Sequence, residues 1–258
     1  MAAVSPADFK RRLRQRPVVG PFSKTCDPLV VEALGHGGMD FVILDLEHGP
    51  NDVSTLGGLI RAAESAGLLP IVRVGCDEQI ARALDLGAGG VQVPHVSTAA
   101  RAREVIAQAR FAPQGRRGVC RFVRAARSGT TDRAAYFEQA NQALVVLQIE
   151  GEQGIGELPD ILNVQGADVL FVGVYDLSQS LGVIGQTDHP AVTRALDDVA
   201  RHCRDRRIAC GTFVESVGTA RHLAAIGMHY LCYSVELALL AGAVRETVDA
   251  IGAARGVE

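Results

Sequence analysis

From Pro17 onward, short β-branched apolar runs alternate with longer segments in which apolar residues recur every three to four positions, the periodicities of strands and amphipathic helices. The pattern predicts eight strands, at Val18 to Phe22, Asp40 to Leu46, Pro70 to Val74, Gly90 to Pro94, Leu144 to Ile149, Val169 to Val174, Ala209 to Val214 and Tyr230 to Val235. Helical spacing fills segments such as Pro28 to Leu34, Ser54 to Ala66, Glu78 to Leu86 and Ala99 to Ala109. Glu236 to Ile251 reads as a long amphipathic helix suited to closing the fold or packing on a neighbouring subunit. Strands such as FVILDL and LVVLQI are apolar almost throughout, as expected for a parallel sheet covered by helices on its faces. Strict βα alternation over eight units predicts an α/β fold of the (β/α)8 TIM barrel class. An open doubly wound sheet is the competitor. Closure is favoured because no GxGxxG follows the first strand and polar residues stand at the C-terminal ends of several strands. The longest irregular stretch, Phe111 to Thr131, is rich in Gly and Arg, and a loop of that length usually has a task. No linker divides the chain, which is read as a single domain, 1–258.

Composition narrows the classes. The chain is 48% hydrophobic and 21% charged, enough to bury a sizeable core and too apolar for disorder. Its mean hydropathy of +0.15 is high, yet no stretch approaches the roughly 18 to 20 apolar residues of a membrane span. A net charge of -3 supplies no global attraction to nucleic acid or anionic membrane, and neither partner is expected. The basic N-terminus lacks the apolar core of a secretory signal, so the expected location is cytoplasmic. Six cysteines without a CxxC pair read as buried thiols rather than a disulfide frame or zinc site. Lys10 and Lys24 are the only lysines.

In a parallel barrel the C-terminal strand ends share one mouth, where polar residues distant in sequence converge. Asp45, Glu47 and His48 end the second strand, Arg73 the third, Gln148 and Glu150 the fifth, and Gly173 to Asp176 follow the sixth. Two carboxylates at one mouth, Glu150 and Asp176, repel unless a cation sits between them, and hard oxygen ligands suit Mg2+ or Mn2+ better than structural zinc. Each is alternatively a cap of the following helix. His48 lies three residues after Asp45, so a carboxylate–imidazole contact is expected, making His48 a candidate general base. A loop histidine bonded to backbone is the other reading. Arg73 interrupts an apolar strand and must pair with an anion, either a ligand or a structural Asp. The turn at Gly173, Tyr175 and Asp176 offers backbone N–H groups to a small carboxylate. His36, His95, His189, His202, His222 and His229 receive no role.

In this order and spacing, DFVILDLEHGP, PIVRV, LDLGAGGVQVPHV, APQGRRG, VVLQIE and VGVYDLSQSLG resemble the HpcH/HpaI family of class II pyruvate aldolases, over nearly the whole chain. The resemblance implies a (β/α)8 barrel whose last helix is exchanged between subunits, a homohexamer built from dimers, and a divalent cation (Mg2+, Mn2+ or Co2+) that chelates pyruvate. It also implies Glu150 and Asp176 as metal ligands, Arg73 and Gln148 beside the enolate oxygen, and His48 with Asp45 as the base dyad. Glu47 would support the metal shell, Gly173 and Tyr175 would help seat the carboxylate, and Asp85 would approach a neighbouring subunit's site. The implied reaction joins pyruvate to an aldehyde, or cleaves the resulting 4-hydroxy-2-oxoacid.

The chain departs from the pattern at Lys24, at Cys120-Arg121-Phe122, at Val174, where a proline is frequent, and at Glu236, where an Asp is common. Lys24 and Arg121 are therefore expected to favour an anionic or sugar-derived aldehyde, the alternative being that both are solvated loop charges. The competing functions are a lyase acting on CoA thioesters, a Schiff-base aldolase using Lys24, and a non-catalytic barrel that binds a 2-oxoacid.

Overall fold

The computed structural model describes residues 4–255; residues 1–3 and 256–258, the ends of the expected 1–258 domain, lie outside the described residues. Eight strands form a closed barrel in chain order: β1 (Val18–Ser23), β2 (Phe41–Asp45), β3 (Leu69–Arg73), β4 (Gly90–Val93), β5 (Leu144–Ile149), β6 (Val169–Val172), β7 (Ala209–Val214) and β8 (Tyr230–Val235). Each pairs in parallel with its neighbours, and β8 returns to β1. The helices are α1 (Pro6–Gln15), α2 (Pro28–His36), α3 (Val53–Ser65), α4 (Glu78–Asp85), α5 (Ala99–Ala109), α6 (Arg133–Ala140), α7 (Glu152–Gly156), α8 (Leu158–Leu162), α9 (Val174–Ser180), α10 (Pro190–Arg206), α11 (Val217–Ala225) and α12 (Glu236–Arg255). The chain is an α/β barrel of the (β/α)8 class.

The strands stop within a residue or two of the expected positions. Val174 is the clearest shift: it opens α9 instead of ending β6. Of the six thiols expected to be buried, Cys203, Cys210 and Cys232 are, whereas Cys26, Cys76 and Cys120, which lie in loops, are exposed. The N-terminal α1 was hidden by its charges. Ser5 caps it, accepting from the N–H of Asp8, and Phe9 and Leu13, four residues apart, are its buried residues.

Alternation within each strand divides the interior in two. Phe41, Ile43, Leu69, Ile71, Leu144, Val146, Val169, Phe171 and Tyr230 point inward and form one cluster with Phe9 and Leu13 of α1, so α1 packs against the barrel interior. Their neighbours Val42, Leu44, Val72, Val91, Val145, Leu147 and Leu170 point outward into a second cluster shared with the helices. At period two, the next inward positions after Ile43, Ile71 and Val146 are Asp45, Arg73 and Gln148. Asp45 stands in register with Arg73, and Arg73 with Gln92. The inner core thus changes from apolar to polar one layer below the mouth.

The Phe111 to Thr131 stretch runs to the opposite end. Arg124 binds Glu64 and the Leu86 carbonyl, and Arg117 pairs with Asp85. Glu64 and Asp85 stand at the C-terminal ends of α3 and α4, hence at the N-terminal ends of the strands. Phe111, Ala126 and Tyr136 form a small buried cluster there, beside a groove of about 700 Å³. Arg121 donates to the Gly129 carbonyl, and its guanidinium lies 5.5 Å from the Phe122 ring centre. Within its own chain, then, neither Arg121 nor Asp85 stands at the C-terminal mouth.

Candidate active site

At the C-terminal mouth a cavity of about 460 Å³ is lined by Lys24, His48, Arg73, Gln148, Gly173, Tyr175 and Asp176, among others. Arg73 is its electrostatic centre. Its Nε donates to Asp45 Oδ1 at 2.9 Å and its Nη2 to Oδ2 at 2.6 Å, a fork-to-fork pair. Nη1 lies 3.1 Å from Glu47 Oε2, and the guanidinium sits 4.3 Å from the centre of the Phe22 ring. Of its five N–H donors, two hydrogen-bond Asp45; Glu47 Oε2 is in ion-pair contact but accepts no hydrogen bond, and the guanidinium lines the cavity. Arg73 is 8% exposed and Asp45 fully buried. Burial pushes the Asp45 carboxyl up, but Arg73 and two backbone N–H groups outweigh it and hold the group below the usual carboxylate range.

The expected contact between Asp45 and the His48 ring is replaced by this ion pair. Asp45 Oδ1 accepts instead from the backbone N–H groups of Glu47 (3.0 Å) and His48 (3.3 Å), which shapes the turn after β2. The turn is tight: a Cβ on Gly49 would lie 2.5 Å from the Asp45 carbonyl oxygen. The His48 side chain is 60% exposed, its Nε2 3.9 Å from Glu47 Oε2, and it faces the cavity as an accessible imidazole. The reason is that a buried guanidinium competes for a buried carboxylate better than a ring that can reach water.

A polar chain crosses the next strands. The Tyr230 hydroxyl donates to Gln92 Oε1 at 3.3 Å, Gln92 Nε2 donates to Gln148 Oε1 at 2.6 Å, and Gln148 Nε2 donates to Glu150 Oε2. Glu150 Oε1 accepts from the His95 backbone N–H at 2.6 Å, with the His95 ring also beside it. A Cβ on Gly173 would meet Glu150 Oε2 at 2.9 Å, so glycine lets the chain between β6 and α9 pass that carboxylate. Burial raises the Glu47 carboxyl, Arg73 opposes this, the charge of Glu150 adds to it, and the net direction is upward. Asp176 is exposed on the rim. Tyr175 donates to Glu215 at 2.6 Å, and that bond, with burial behind it, pushes the phenol up to about 12. The Lys24 amine lies 3.8 Å from Asp45 Oδ2, while Glu236 Oε1 accepts from the backbone N–H groups of Lys24 and Thr25 and so fixes the loop that carries the amine.

Sequence reasoning missed His95, Gln92, Tyr230 and Glu215. Gln92 was detectable as the polar residue inside an apolar strand. His95 and Glu215 just follow strands β4 and β7, and only strand closure shows what they face.

The HpcH/HpaI aldolase/citrate lyase family model matches residues 19–243. The 5-keto-4-deoxy-D-glucarate aldolase of Shigella dysenteriae serotype 1 (strain Sd197) is 33% identical over 250 residues, 95% of this chain and 97% of that protein. Among solved structures, an HpcH/HpaI aldolase/citrate lyase family protein from Burkholderia cenocepacia J2315 superposes with a TM-score of 0.89 at 32% identity, covering 94% of this chain and 98% of that one. The citrate synthase SbnG superposes with a TM-score of 0.86 at 30% identity, covering 97% and 99%. With most of its length matched by the family model and by an aldolase, the chain belongs to the HpcH/HpaI aldolase/citrate lyase family and is a carbon–carbon lyase of the aldolase type.

Proposed function

We propose that the chain is a divalent-metal-dependent pyruvate aldolase that makes and breaks the C3–C4 bond of 4-hydroxy-2-oxoacids. The observation that carries this reading is the buried Arg73, tied to Asp45 yet open to a cavity that it shares with Gln148, Asp176 and His48. Glu150 and Asp176 would hold the cation, Mg2+, Mn2+ or Co2+. The donor set fits: the Glu47 carboxyl is driven up partly by the charge of Glu150, a repulsion that a cation relieves, and Gly173 keeps the space beside Glu150 Oε2 clear. Among the described residues no three His, Cys, Asp or Glu side chains are arranged to hold a metal ion by themselves. Two carboxylates leave coordination positions for substrate oxygens and water, as hard divalent ions prefer.

When bound, the cation polarises the keto group and acidifies the adjacent carbon. Arg73 directs its remaining N–H donors at the oxygen where negative charge builds, and Gln148 stands beside it. The turn at Gly173 and Tyr175 seats the substrate carboxylate. In cleavage, His48 takes the proton of the 4-hydroxyl through a water, the C3–C4 bond breaks, the aldehyde leaves, and its bonding pair stays on pyruvate as the enolate until C3 is protonated. Asp45 positions Arg73 and the β2 turn. Pyruvate in deuterium oxide is expected to exchange its methyl protons in the presence of Mg2+, Mn2+ or Co2+ and to stop on addition of EDTA. Metal-insensitive exchange, or none with any metal, refutes the reading.

The relative's 5-keto-4-deoxy-D-glucarate would yield a carboxylate-bearing aldehyde, and Lys24 at the cavity supports the same acceptor class here. Lys24→Ala is expected to raise KM several-fold for a carboxylated aldehyde and to leave a neutral one unchanged in steady-state assays. The same reading makes the chain a homohexamer with α12 exchanged between subunits and Asp85 near a neighbour's site. Its support is the stripe of exposed Leu237, Leu240, Val244, Val248 and Ile251 along α12, which calls for an apolar partner surface.

A further inference from the structure

His95 stands two residues beyond β4 with φ at 58°, in the left-handed region. A side chain other than glycine is strained there, and packing does not compensate, because the ring is 74% exposed. Its three nitrogens instead all lie beside acids, the backbone N–H through a hydrogen bond and the two ring nitrogens in ion-pair contact. The backbone N–H donates to Glu150 Oε1 at 2.6 Å, Nδ1 lies 2.7 Å from the same oxygen, and Nε2 lies 3.3 Å from Glu47 Oε1.

Glu150 is therefore gripped on both sides. His95 holds Oε1. Gln148, itself held by Gln92, donates to Oε2, the oxygen that faces Gly173 and the turn carrying Asp176. A carboxylate left free to rotate would present either oxygen, or both, to a cation; one pinned in this way presents Oε2 toward the Asp176 side in advance. Residues that orient a ligand from behind commonly set metal affinity without touching the metal.

We propose that His95 is a positioning residue of the metal centre: it turns Glu150 toward the Asp176 side and ties Glu47 to the same frame. This rests on the reading of Glu150 and Asp176 as cation ligands. Strain at His95 is then the cost of placing an imidazole between two strand ends, and it separates the two effects of removing the ring. Glycine is unstrained at this φ, so His95→Gly is expected to keep or raise Tm while Mn2+ binding, followed by the electron paramagnetic resonance signal of the free ion, weakens about 10- to 100-fold. His95→Asn tolerates the backbone and retains a side-chain donor near the Nδ1 position; it is expected to bind Mn2+ more tightly than the glycine variant. Glu150→Gln serves as the control for the ligand itself. If wild type binds Mn2+, Glu150→Gln does not, and His95→Gly binds as wild type, the positioning role is overturned and the metal reading stands. If wild type binds no Mn2+, both are overturned. Asparagine no better than glycine also counts against the ring.

Discussion

Replacing Arg73 with alanine is expected to lower metal-supported pyruvate proton exchange by roughly 10²- to 10³-fold, the cost of removing one donor aimed at a developing oxyanion. Arg73 is 8% exposed, so its charge acts where water screens it weakly. Alanine also strands Asp45, which is fully buried, and Glu47 beside it, so the loss combines the missing donor with a rearranged mouth. Arg73→Lys separates the contributions. It keeps one positive charge for Asp45 but cannot reproduce the fork that places donors on both carboxylate oxygens and still leaves others at the cavity. The lysine variant should therefore regain most of the thermal stability lost by alanine while its exchange rate stays at least tenfold below wild type. Exchange in Arg73→Ala within threefold of wild type, with the fold intact by circular dichroism, would remove Arg73 from the chemistry.

The second large effect is on stability. Asp45→Ala leaves the buried guanidinium of Arg73 without its two-point partner, and breaking a buried ion pair costs about 3–5 kcal/mol. Glu47, 3.1 Å from Arg73 Nη1, takes up part of the charge, which puts the expected loss near the low end. At about 2–4 °C per kcal/mol for a chain of this size, Tm should fall by roughly 6–12 °C, read by differential scanning calorimetry. The pH dependence has a definite sign. The Asp45 carboxyl is held below its ordinary value in the folded chain, so its contribution is fully present above the unfolded value, about 3.9. It is lost as pH falls through the lower folded value. The gap between wild type and Asp45→Asn should consequently be constant from about pH 5 to 8 and narrow below about pH 4. A gap that widens on acidification would contradict the direction assigned to Asp45.

The barrel itself was legible because its causes are local and repeated. β-Branched runs on a fixed rhythm, apolar on both faces, admit few parallel arrangements, and eight of them close. Arg73 in PIVRV and Gln148 in VVLQIE were conspicuous because a polar residue at an inward position of an apolar strand has no solvent to reach. The misjudged elements share a different cause. In α1 the apolar pair Phe9 and Leu13 is spaced for a helix, but the surrounding arginines mask it until the barrel interior is there to receive it. Val174 continues the apolar run of β6 and so reads as strand; it instead opens α9 while remaining buried.

The site was legible as a set of residues and not as a set of contacts. His48 and Asp45, three apart, look like partners in one dimension, whereas Arg73, twenty-eight residues on from Asp45, is the partner that β2–β3 register delivers. His95 looked like a loop histidine, yet it meets Glu150 fifty-five residues away because β4 and β5 are neighbours. Arg121 shared a basic loop with nothing to mark its location, and the direction in which α5 leaves β4 carries it away from the mouth of its own barrel.

By itself, then, the amino-acid order determined the strand rhythm, the closure into eight parallel units and the polar residues that end the strands, since burial and period two act on neighbours along one chain. Which carboxylate holds which cation or imidazole was decided only by the closed barrel, because those pairings depend on register between strands and on the orientation of side chains that no stretch of sequence contains.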